Sequence, residues 1–196
     1  MEREVRFSIP AEIRADETGI KVSGYAAVFN EIVNIGGYFR ERVLPGAFAE
    51  AIRRDDVVFL INHNGLPLAR TRSGTLKLVE DQRGLNIETE LDASDPDVQA
   101  IVPKMKRGDL DKMSFAFSMR GGIQTWDESV EPPLRTIEKV GELHDVSIVT
   151  TPAYEGTEIG LRSLEQHRKD SKAHNVAGYF TRRARMKQRL AFVREG

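Results

Sequence analysis

The sequence predicts a mainly β domain with flanking helices, an α+β class whose antiparallel strands close or nearly close into a barrel, followed by a basic C-terminal tail. Three observations carry this reading. Short apolar runs with period-two alternation and turn signals between them fill the first 91 residues and return after Lys112 and Glu142. Only two segments have convincing helical spacing, which suits a barrel with helices packed outside it. The charge changes sign near Arg162: from there on, 10 Lys and Arg face 3 Asp and Glu, against 19 basic and 27 acidic residues in the rest.

Taken in order, Val5, Phe7 and Ile9 alternate, and Ile20 to Phe29 forms a second run. Pro45 suits a first helical turn, with Phe48, Ala51 and Ile52 on one face before Asp55-Asp56 ends the helix. Val57 to Ile61 is continuous and reads as a buried strand. Leu76 and Leu78, then Leu85 and Ile87, flank Asp81-Gln82-Arg83-Gly84 as a hairpin. Asp95-Pro96 opens a second helix, with Val98, Ile101, Val102 and Met105 at helical spacing and Gly108 as its stop. Pro103 inside it is expected to kink or shorten it. Lys112 to Arg120 and Glu142 to Thr151 read as strands, and Gly121 to Pro133 between them as a mobile loop. Residues 163–178 read as a polar linker. Beyond it Tyr179, Met186, Leu190 and Val193 share a helical stripe among five basic residues, Arg182, Arg183, Arg185, Lys187 and Arg189. The expected division is therefore a domain over residues 1–161 and a basic linker and tail over 162–196.

At 196 residues, with 40% hydrophobic and 30% charged content, the chain can bury one sizeable core. The absence of cysteine excludes a disulfide framework, a thiol nucleophile and thiolate metal sites, and leaves a reducing interior as the natural compartment. The opening Met1-Glu2-Arg3-Glu4-Val5-Arg6 lacks the unbroken apolar stretch of an export signal. No run approaches the roughly 20 apolar residues of a spanning helix. The expectation is a soluble, intracellular protein with no membrane partner.

Chemistry can be sought in three places. In Met113-Ser114-Phe115-Ala116-Phe117-Ser118-Met119, alternation puts the large residues on one face and Ser114, Ala116 and Ser118 on the other. A face lined only by small residues lets an extended backbone come close to a hydroxyl nucleophile, although outer strand faces carry small polar residues for no chemical reason too. His63 follows a buried strand and precedes Asn64-Gly65, a suitable station for a base, although taken alone an ordinary partly exposed histidine is the commoner occupant of such a place. Serine needs such an imidazole, being a weak nucleophile at neutral pH. In Leu143-His144-Asp145-Val146-Ser147-Ile148-Val149, alternation groups Leu143, Asp145, Ser147 and Val149 on one face, so Asp145 sits among apolar residues and must be paired. Orienting a catalytic histidine would satisfy it, and so would an arginine; His144 is an alternative orienting group. There is no phosphate loop, His-Glu-x-x-His pair or nucleophile elbow.

Several segments together resemble the prohead protease family of tailed phages, which is related in fold to the herpesvirus capsid maturation protease, assemblin. They are Gly24-Tyr25-Ala26-Ala27-Val28-Phe29-Asn30; Glu41 with Val43-Leu44-Pro45-Gly46-Ala47-Phe48; Asn62-His63-Asn64; Gly108-Asp109-Leu110 leading to Met113-Ser114-Phe115-Ala116-Phe117; and Leu143 through Tyr154. The resemblance implies an assemblin-like barrel and a serine protease with Ser114 as nucleophile, His63 as base and Asp145 as third member. A glutamate is commoner in that third position. It implies backbone amides near Ala153 and Tyr154 as oxyanion donors and no cofactor or metal. The implied substrates are the scaffolding segment of the major capsid protein and the chain itself, cleaved inside the procapsid in the host bacterial cytoplasm. The tail then becomes a segment that binds the scaffold and is removed by self-cleavage; homo-oligomerisation is left open. The competing class is a non-enzymatic capsid assembly or scaffolding protein whose basic tail binds capsid or nucleic acid; specific nucleic-acid binding is not implied, because the body is acidic.

Overall fold

The computed structural model describes residues 3–7, 20–150, 162 and 164–169. Packing divides the chain into two units, Met1–Ile159 and Gly160–Gly196. In the second, residues 162 and 164–169 are helical, where the sequence suggested a polar linker. The basic stripe from Tyr179 to Val193 lies outside the described residues.

The first unit is mainly β with few helices. Its largest sheet has five strands in the order β1 (Glu4–Phe7), β9 (Lys112–Ser118), β12 (Glu142–Val149), β5 (Val58–Ile61) and β6 (Asn64–Arg70). A four-stranded sheet runs β10 (Ile123–Asp127), β11 (Leu134–Lys139), β4 (Phe39–Val43), β3 (Val33–Ile35). A three-stranded sheet runs β2 (Ile20–Val28), β8 (Gly84–Leu91), β7 (Leu76–Glu80). Among the described residues no sheet closes on itself, so the expected closed or nearly closed antiparallel barrel is corrected to three sheets. Two pairings are also parallel, β12 with β5 and β11 with β4. Alternation reports which face a strand buries; it is silent on which distant strand it meets and in which direction.

The three sheets share one apolar core. Phe29 and Phe48 stack, Phe48 meets Phe115 edge to face at 5.3 Å, and Phe115 stacks on Phe117. Leu85, Ile87, Met113, Ile137, Leu143, Val146 and Ile148 fill the space around them. Each large side chain fully buried there contributes about 1.5–3 kcal/mol relative to leaving it in water. The hairpin of β7 and β8 forms as the sequence suggests, with Leu78 opposite Ile87 and the Asp81 carboxylate accepting from the Arg83 and Gly84 amides. Gly84 also lies so close to β2 that an added Cβ would stand 2.0 Å from the Ala27 carbonyl oxygen.

The first helix is shorter than expected, and the second continues through its proline. Pro45 lies in consecutive turns, and the helix proper, α1, is only Ala51–Arg54. The second, α2 (Pro96–Arg107), is capped by the Asp95 carboxylate accepting from the Asp97 amide at 2.8 Å, and ends at Gly108 with φ 80°. It runs through Pro103, burying Val98, Ile101 and Met105, so their packing outweighs the one backbone bond that proline removes.

Two readings of strands are corrected. Gly121–Pro133 is no simple loop: β10 lies within it and pairs with β11. On β1, Glu4 and Arg6 are the buried residues and Val5 is only half-buried, the reverse of the expected face. Both errors have one cause. Arg135 of β11, with 0% exposure, donates to Glu4 and Glu41 at 2.9 Å each, and Arg6 donates to Glu41 at 2.6 Å and Glu4 at 2.7 Å. Gln124 of β10 accepts from the Arg135 Nε. This neutral cluster of two cations and two anions lets charged side chains take interior positions and ties β1 to the four-stranded sheet. Burial alone would raise the Glu4 carboxyl, but Arg135, aided by Arg6, outweighs it and holds the group below its ordinary value.

Candidate active site

The site is built where β9, β12 and the end of β5 meet. β9 and β12 pair antiparallel with Ser114 opposite Ser147, while β12 and β5 run parallel with Ser147 opposite Leu60 and Ile148 opposite Ile61. Met113, Phe115 and Phe117 enter the core, as their alternation predicts, and Ser114 takes the other face with only 2% exposure. On β12 the parity is broken. A bulge between Leu143 and Asp145 sends Leu143 into the core beside Val146 and Ile148, on the face opposite Asp145 and Ser147. The expected grouping of Leu143 with Asp145 is corrected accordingly.

His63 sits in the turn itself. Ile61 pairs with Asn64, leaving Asn62 and His63 as a two-residue hairpin loop with φ of 50° and 58°. Positive φ at both positions is the type I′ pattern, usually met by Asn-Gly. Asn62 suits the first position; His63 occupies the one that glycine would fill more easily, at a cost of about 1–3 kcal/mol. The surroundings hold it there: the Asn62 amide donates to the Ile148 carbonyl at 2.9 Å, the His63 amide to the Ser147 hydroxyl at 3.2 Å, and the Thr150 amide to the Asn62 side chain at 3.0 Å. A strained non-glycine residue kept by three hydrogen bonds marks a position whose side chain matters.

That side chain bridges the other two candidates. His63 Nδ1 lies 2.6 Å from Asp145 Oδ1, and Nε2 lies 2.7 Å from Ser114 Oγ. A carboxylate only accepts, so Nδ1 carries the hydrogen and the Nε2 lone pair is left facing the hydroxyl. The sequence alternatives for Asp145 both occur: Oδ1 takes the imidazole, and Oδ2 takes the Arg3 guanidinium. The Nδ1 partner is Asp145 rather than His144. The Ser114 hydroxyl has a second acceptor, the Arg6 carbonyl on β1, at 2.7 Å.

Arg3, Arg6 and Ser147 escaped the sequence reading. Only Ser147 carried a signal, two residues beyond Asp145 on the same strand face. Ala153 and Tyr154, the suggested oxyanion donors, lie outside the described residues. Among the described residues no group of three or more His, Cys, Asp and Glu is arranged to hold a metal ion, and no helix is long and apolar enough to cross a membrane.

A family model described as the caudovirus prohead serine protease matches residues 9–171. The prohead protease of Enterobacteria phage HK97 is 29% identical over 153 residues, covering 71% of this chain and 63% of that protein's length. The solved structure of the bacteriophage T4 capsid assembly protease aligns over 77% of this chain and 98% of that one, at 10% identity and a TM-score of 0.45.

Proposed function

Because the chain belongs to the caudovirus prohead serine protease family, we propose that it is a serine endopeptidase of capsid maturation, with Ser114 as nucleophile, His63 as general base and Asp145 as the orienting carboxylate. The observation that carries this is the unbroken hydrogen-bonded series Ser114 Oγ, His63 Nε2, His63 Nδ1, Asp145 Oδ1. Its members come from β9, the β5–β6 turn and β12, and nothing in the packing of a simple core requires them to meet.

The chemistry follows from the geometry. Nε2 takes the Ser114 proton as Oγ attacks a peptide carbonyl, and Asp145 stabilises the imidazolium that forms. The imidazolium returns the proton to the departing amine, leaving an acyl-enzyme, which a water molecule activated by the same nitrogen then hydrolyses. No metal or cofactor enters this cycle. Backbone amides around Ala153 and Tyr154 are the proposed oxyanion donors.

The proposed substrates are the scaffolding segment of the major capsid protein and the chain itself, met inside a procapsid in the host bacterial cytoplasm. Residues 1–161 form the protease domain in this reading. Residues 162–196, with their excess of positive charge, dock on the acidic or coiled scaffold and are removed by self-cleavage. The test is co-expression with a capsid protein that retains its scaffolding segment, followed by intact mass spectrometry of both chains for wild type and Ser114→Ala. Cleavage in wild type alone supports the protease. Intact chains in assembled wild-type shells would favour a scaffolding protein that keeps the fold.

A further inference from the structure

Ser147 has no place in the three-residue series, yet its hydroxyl touches two of its members. The residue is 0% exposed. Its Oγ donates to Asp145 Oδ1 at 2.8 Å, accepts from the His63 amide at 3.2 Å, and stands 3.2 Å from His63 Nδ1. We infer that Ser147 is a positioning residue of the site, one that fixes the Asp145 carboxylate and the His63 turn against each other; the inference rests on the protease reading above.

The physical argument has two parts. A carboxylate on a short side chain can turn about its terminal bond, and the imidazole hydrogen bond alone does not stop it. A second donor on Oδ1, together with Arg3 on Oδ2, leaves it one orientation, with Oδ1 directed at Nδ1. The second part concerns the backbone. The His63 amide emerges from a residue at φ 58°, and without Oγ this half-buried donor loses its partner. The turn is then free to relax toward ordinary backbone, carrying the ring with it. One hydroxyl thus sets both the tautomer-fixing contact and the ring's height above Ser114, which it faces across the β9–β12 pair.

Removing Oγ should therefore slow chemistry at Ser114 while leaving affinity alone, because Ser147 is 0% exposed and a ligand does not touch it. Misplacing a catalytic group by about 1 Å costs on the order of 100-fold in rate. The experiment is time-resolved labelling of the full chain with a fluorophosphonate probe, followed by intact mass, for wild type, Ser147→Ala, Ser147→Cys and Ser147→Thr. Circular dichroism gives the folded fraction of each.

The expected result is a maximal labelling rate roughly 10- to 100-fold lower in S147A, an unchanged half-saturating probe concentration, and recovery of most of the rate in S147T, which restores a hydroxyl. S147C is close in size and a poor donor, so it should behave like S147A; it carries the comparison should alanine unfold the chain. Labelling of S147A and S147C at the wild-type rate, or slowing only in proportion to the unfolded fraction, would overturn the inference while leaving the protease reading intact. A folded wild-type chain that the probe does not label at Ser114 would overturn both.

Discussion

Arg135→Met should destabilise the fold sharply at neutral pH and much less in mild acid. The side chain is fully buried and gives hydrogen bonds to Glu4, Glu41 and Gln124. Its removal leaves two buried carboxylates with Arg6 as their one remaining cation in the cluster, and breaking a buried pair costs about 3–5 kcal/mol. For a chain of this length each kcal/mol shifts Tm by about 2–4 °C, so a fall of roughly 6–20 °C is expected at pH 7. In wild type the folded Glu4 pKa lies below its ordinary value of 4.5. Its ionised form therefore contributes stability that is present above about pH 4.5 and is lost as pH falls through the lower folded value. In the variant the sign reverses: burial, the largest influence on Glu4, is no longer outweighed, so the folded carboxyl binds its proton more readily than the unfolded one. The deficit should narrow between pH 7 and about pH 5, and Glu4→Gln in the R135M background should recover part of it at pH 7. Differential scanning calorimetry or urea titration at several pH values reads this directly. A deficit under about 1 kcal/mol, or one that is constant with pH, would mean that the cluster does not hold the charges the geometry assigns it.

Two further outcomes are expected. Asp145→Asn keeps the shape of the site but offers His63 Nδ1 the wrong partner, so the maximal rate of fluorophosphonate labelling should drop by about 10⁴-fold with the fold unchanged; a loss below tenfold would remove Asp145 from its role. Pro103→Ala restores an amide that can bond to the Gln99 carbonyl in α2, and should raise stability by about 1–3 kcal/mol in urea titration; no gain would mean that the helix has already adapted to its proline.

The parts of this structure that were legible in the sequence are those governed by local rules. The hairpin of β7 and β8 announced itself through Asp81 to Gly84, the cap and stop of α2 through Asp95 and Gly108, and the core face of β9 through Met113, Phe115 and Phe117. What escaped was non-local. Arg135 and Glu4 look like surface residues until their pairing across 131 positions is known, which is why β10 reads as loop and the alternation of β1 points to the wrong face. The bulge at Leu143 cannot be seen in one strand alone, because it is a mismatch between two. For the site, residue types and order pointed to Ser114, His63 and Asp145, whereas the turn conformation of His63 was hidden by Asn64-Gly65, a stronger turn signal two residues too late.

The same non-locality has a consequence for timing during synthesis. His63 lies 51 positions before Ser114 and 82 before Asp145, and the Arg6 carbonyl that touches the Ser114 hydroxyl lies 108 positions ahead of it. The edge strand β1 leaves the ribosome first but has no neighbour until β9 follows, and β12, the strand that joins β9 to β5, emerges last of the three. Contacts of such long sequence separation form slowly and late. An emerging chain therefore cannot join Ser114, His63 and Asp145 until β12 has been made, so that a partly translated molecule lacks the hydrogen-bonded series on which the proposed protease depends.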